Sequence, residues 1–153
     1  MNVLGILEEQ WWLVYIPLLL SMVVVSIPVG KIVDTIGTKI PLILGSVTLA
    51  TASLLFANGN FLTIMVSMFL LGVVHLLVMS SAMALSAGLV ETQNRGKVRG
   101  FINFTGYIST GLGMLLGNYF YNLIPQLPFY VTIGLTVPIV LIVLLRVHEP
   151  RSH

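Results

Sequence analysis

Five apolar runs, each close to the length of a bilayer crossing, constrain this chain more than anything else in it. They cover residues 11–29, 40–57, 61–88, 101–121 and 129–145. A helix needs about 20 apolar residues to cross the hydrocarbon core of a membrane. Backbone N–H and C=O groups find no water there, so only helices and closed barrels can span it. A barrel would show short alternating segments. A soluble domain would show amphipathic stripes and far more charge. Here 57% of residues are hydrophobic, 8% are charged, and the mean hydropathy is +1.03. The fold class expected is therefore all-α: a polytopic transmembrane helical bundle of five spans, with residues 1–153 forming a single membrane domain.

The basic residues orient the spans. Lys31 and Lys39 lie between spans one and two. Arg95, Lys97 and Arg99 lie between spans three and four, and Arg146 and Arg151 follow span five. All seven Lys and Arg thus fall on one side. The other side carries Glu8, Glu9, the run Asn58-Gly59-Asn60 and residues 122–128. Cytoplasmic loops are enriched in Lys and Arg, so the basic side is expected inside, most simply at the plasma membrane. The N-terminus is then outside and the C-terminus cytoplasmic. Trp11, Trp12, Tyr15, Tyr119, Tyr121 and Tyr130 mark the outer ends, where an apolar ring keeps its polar tip wet. Glu8 and Glu9 precede span one without a basic segment, which argues against a cleaved signal peptide.

Several chemistries are excluded or discounted. The chain has no cysteine, so disulfides and zinc thiolates are absent. Topology accounts for the net charge of +2, so membrane lipid is an expected contact and nucleic acid is not. No hydrolase triad, metal-ligand cluster or phosphate-binding loop is present. The sequence predicts no enzyme, no cofactor and no metal. Asn103-Phe104-Thr105 matches a glycosylation sequon but falls on the inner side.

The inner loops hold the informative motifs. The first runs over residues 30–39, with Gly30 and Gly37 bracketing a short charged link that contains Asp34 and ends at Lys39. Glycine permits tight connections and unusual backbone angles. The second runs over residues 91–100, with Glu91 first and Arg95, Gly96, Lys97 and Arg99 after it. In this order and spacing the chain resembles the major facilitator superfamily. That family's inner-loop signature is a Gly, an Asp four residues on, a Gly three later and then basic residues, matched by Gly30, Asp34, Gly37 and Lys39. Thr35 and Thr38 stand where the family often has a base. The second loop is similar to the family's Glu-then-Arg-Gly segment at Glu91, Arg95 and Gly96. The glycine-rich helix after it is matched by Gly106, Gly113 and Gly117.

The resemblance implies a place in a larger fold. Members have about twelve spans in two parallel halves, and the signature follows the second span of each half. Here it follows the first span, so the chain resembles the last five spans of the C-terminal half. The signature occurs in N-terminal halves too, and a short polar tail after span five favours the C-terminal one. The function implied is part of a secondary active transporter, working by alternating access on a small-molecule solute. A complementary half or self-association would complete the pathway. A non-transporting remnant and a small membrane adaptor are the alternatives. In the family the signature Asp helps latch the inner gate, and Arg95 and the first turn of span four are possible partners for Asp34.

Within the spans, each polar feature has two readings. Gly106, Thr110, Gly113 and Gly117 recur at helical spacing and read as helix packing, because small residues let helices approach closely. Gly45, Ser46, Thr48, Ala52 and Ser53 in span two read likewise. Met65, Met68, Met79 and Met83 read as flexible packing. Ser80, Ser81 and Thr110 read as polar faces that a lone five-span bundle would leave unpartnered. His75 is the one titratable residue deep within a span. It is either a neutral imidazole bonded to a neighbouring helix or a group on a proton or substrate path.

Overall fold

The computed structural model describes residues 11–147. Five α-helices follow one another: α1 (Trp11–Ile36), α2 (Lys39–Ala57), α3 (Phe61–Leu89), α4 (Arg95–Leu123) and α5 (Leu127–Arg146). A single 3₁₀ turn, Thr92–Asn94, precedes α4. The all-helical, five-helix architecture expected from the sequence is what the described residues form.

The helices are not equally apolar. α1, α2, α3 and α5 are long and apolar enough to cross a membrane on their own residues. α4 is as long as α3, at 29 residues, but is not among them. Asn, Gly, Thr, Ser and Tyr interrupt its apolar run repeatedly. It also buries no residue, and its polar and apolar positions segregate more clearly than those of the other helices.

α3 is the centre of the packed part. It lies against α1 on one side and α2 on the other, and α2 in turn packs against α5. α4 touches α3 and α5 only sparsely. Two apolar clusters hold α1 to α3. One pairs Val14 with Ile64, backed by Phe56 and Met68. The other, toward the opposite end, joins Val29 and Val33 to Leu77. Between them the backbones come close. A Cβ built on Gly72 would lie 1.8 Å from Ser21 Oγ and 2.7 Å from the Leu18 carbonyl oxygen. Only a residue without a side chain fits that crossing.

α2 meets α3 through small residues, as its sequence suggests. Gly45, Ser46, Ala52 and Ser53 are all buried. Ser67 Oγ donates to the Ala52 carbonyl at 2.8 Å, a hydrogen bond between the two helices. At the far end Asn58-Gly59-Asn60 makes the tight reversal expected of it. The Asn60 side chain accepts from the Thr63 amide and caps α3. Phe56 of α2 stacks on Phe129 of α5, with ring centroids 4.8 Å apart. Pro128 stands in the first turn of α5, where its missing N–H costs no helical bond.

The first inner connection differs from its expectation. Residues 30–36 continue α1 rather than forming a loop, and the link shrinks to Gly37 and Thr38. Lys31 to Ile36 offer no stop signal, and Thr35 Oγ1 bonds back to the Lys31 carbonyl within the helix. Gly30 is an ordinary helical residue with open space around it. Gly37 alone takes the left-handed backbone, at φ 81°. The second connection is shortened for the same reason. α4 begins at Arg95, so Gly96, Lys97, Arg99 and Gly100 are helical.

Candidate functional site

Three groups of residues carry the candidate chemistry, and the fold gathers the first two at one end of the bundle. Lys39 opens α2, and its Nζ donates to the Leu144 carbonyl at 2.9 Å. The first inner link and the end of α5 therefore meet. A cation at the carbonyl end of a helix is favourably placed against the helix dipole. Asp34 is exposed on α1 and makes no ion pair or side-chain hydrogen bond among the described residues.

Arg95 is not brought to Asp34. Its Nε donates to the Val90 carbonyl at 3.2 Å and its Nη2 to the Ala87 carbonyl at 2.9 Å. The guanidinium thus closes the C-terminal end of α3, whose last carbonyls have no helical partner. Glu91 accepts from Gln93 Nε2 at 3.1 Å, and its carbonyl accepts from the Asn94 amide. The acid shapes the 3₁₀ turn and the base caps the helix before it. Gly96 is exposed, with nothing within 4 Å of a Cβ built on it.

The third group lies along α3 and α4. His75 is the midpoint of α3, and it is exposed. It makes no hydrogen bond among the described residues, so the imidazole does not bond a neighbouring helix of this chain. Met79, one turn further along, continues its face. Gly106, Gly113 and Gly117 have nothing within 4 Å of a built Cβ. Thr110 is exposed and returns its hydroxyl to the Gly106 carbonyl at 2.9 Å. A packing role for this stripe requires a surface from outside the described chain. Ser81 is turned inward instead: its residue is fully buried, and its Oγ has no hydrogen-bond partner.

Two features escaped the sequence reading. Gly72 has the closest approach from a neighbouring helix of any described glycine, yet it is one glycine in an apolar run with no motif around it. An isolated Gly inside a helical pattern was the available signal. Arg99 read as one more topological charge, and the structure turns it into the lining of a cleft between α3 and α4.

A family model of the Major Facilitator Superfamily matches residues 7–153. No curated protein matches the chain.

Proposed function

Because the chain belongs to the major facilitator superfamily, a family of membrane transporters, we propose that it forms part of a secondary active transporter for a small solute. The spacing of its motifs supports the last five spans of a C-terminal half, with α1 as the second span of that half. One observation carries the reading. α4 is a 29-residue helix with no buried residue and a stripe of small and polar positions that meets nothing among the described residues. In a transporter that works by rocking one bundle against another, such a face belongs at the pathway or at the opposite bundle. His75 faces outward at the midpoint of α3, the depth at which such transporters hold substrate and coupling ion. It is assigned to the solute or proton path. The Lys- and Arg-bearing end is assigned to the cytoplasm and the membrane to the plasma membrane.

The chain needs a second body to complete the pathway, either a complementary half or another copy. With no cysteine in the native sequence, one introduced at Gly113 is the sole thiol. Expected is a specific crosslink from Gly113→Cys to a partner helix in native membranes, and none from Leu19→Cys, which is also exposed but lies on α1. An uncrosslinked chain that runs as a monomer in mild detergent would refute the proposal.

A further inference from the structure

We propose that the cleft between α3 and α4 binds an anionic phospholipid from the leaflet at the basic end of the protein. Arg99 and Arg95 would receive the phosphate, and Met79 and Met83 the upper part of one chain. The site is independent of whether the chain transports anything.

The cleft has a volume of about 240 Å³. Its head is cationic: Arg95 and Arg99 stand on successive turns of α4. No carboxylate among the described residues lines it. Arg95 is held by the Ala87 carbonyl of α3 and the carbonyl of the capping residue Val90, which fixes its position and leaves some of its five N–H donors free. Arg99 makes no hydrogen bond or ion pair among the described residues. A fixed arginine beside a free one is suited to a phosphate, which accepts several charge-assisted bonds at once.

The body of the cleft is apolar and flexible, with Met79, Ala82 and Met83 facing Val98 and Ile102. Asn103 closes the lining on α4. It lies eight residues beyond Arg95, about 12 Å further along the helix at about 1.5 Å per residue. The occupant must therefore carry its charge at one end and run apolar for several ångströms. The cleft has room for a phosphate with the start of one chain, the rest lying in the bilayer. Basic pockets between helices at a membrane surface bind such headgroups.

The test uses the whole chain in a neutral detergent. Native mass spectrometry compares retained phosphatidylglycerol with phosphatidylcholine of the same chain length. Retention of the anionic lipid should exceed that of the zwitterionic one. Arg99→Gln should reduce this preference about tenfold, the scale of one charge-assisted bond. Lys31→Gln removes an equal charge from the same end but outside the cleft, and should leave the preference intact. Met83→Trp, at an exposed position, should block the cleft without disturbing the packed core. Equal retention of the two lipids, or equal losses from Arg99→Gln and Lys31→Gln, overturns the site. A third arm offers octyl phosphate in solution. If it binds in an Arg99-dependent way while phosphatidylglycerol does not, the occupant is a soluble amphipathic anion and the lipid assignment fails.

Discussion

The seam between α1 and α3 and the open stripe of α4 are built from similar residues and have opposite fates. At the seam, Gly72 faces Ser21 so closely that no side chain fits. On α4, Gly106, Gly113 and Gly117 follow one another at helical spacing and face empty space. Small residues therefore announce a possible close approach without saying who approaches. The flanking residues decide. Around Gly72, Val14, Val29, Val33, Ile64 and Leu77 make two apolar clusters that this chain closes by itself. Around Gly113 the turns carry Asn, Thr, Ser and Tyr, and none of these residues is buried among the described ones.

The sharpest way to break this contrast is to place the same side chain at both glycines. Gly72→Val must push Ser21 and the Leu18 backbone aside, and backbone cannot rotate away as a side-chain tip can. Overpacking of this kind costs about 1–3 kcal/mol and sometimes more. Reversible unfolding in mixed micelles should show that loss. Gly113→Val, in the isolated chain, should show none. Equal losses would mean that α4 packs in solution as tightly as α3 does.

Next in size is Gly37→Ala, compared with Gly30→Ala. Gly37 holds φ 81°, a region that costs a side-chain-bearing residue about 1–2 kcal/mol. Gly30 is helical with open space around it, so alanine there should be neutral or slightly stabilising. If the two variants lose equally, the link between α1 and α2 is wider than two residues.

These two glycines also show what could be read from the sequence. The five helices and their order were legible, because bilayer-length apolar runs are a property of composition along the chain. The close turn at Asn58-Gly59-Asn60 was legible because its residue types have few other uses. Helix ends were not. Residues 30–36 and 95–100 look like loops because they are charged, yet charge at a membrane surface is compatible with a helix that simply continues into water. The partners of Arg95 were not legible either. A C-terminal helix end draws the nearest guanidinium through unsatisfied carbonyls, and only three-dimensional placement shows that Ala87 and Val90 lie within reach while Asp34 is not joined to it. For His75, neither partner nor exposure was legible, since rotation of α3 about its axis is set by the packing of Gly72 and Leu77.

A smaller effect tests the polar part of the packed region. Ser67→Ala removes the hydrogen bond from α3 to the Ala52 carbonyl of α2. Hydrogen bonds between membrane helices average about 0.6 kcal/mol, because the separated helices find other partners. The expected loss is therefore well below that of Gly72→Val in the same unfolding measurement. A loss equal to the glycine's would shift the weight of the seam from packing to hydrogen bonding.

The smallest effect is expected at Asp34. It sits on α1, which packs against α3, but its carboxylate belongs to the open surface. It is exposed, it makes no ion pair among the described residues, and Arg95 is already engaged with the Ala87 and Val90 carbonyls. Replacing it by Asn keeps the shape and removes a charge that no contact in this chain uses. Unfolding curves of Asp34→Asn and the native chain should superimpose, and membrane insertion should be unchanged. If the chain forms part of a transporter as proposed, the expected consequence is an altered balance between inward-open and outward-open states, measured by labelling at a cysteine introduced at Gly96. A loss of folded chain as large as that of Ser67→Ala would place Asp34 with the packed region and remove it from the open surface.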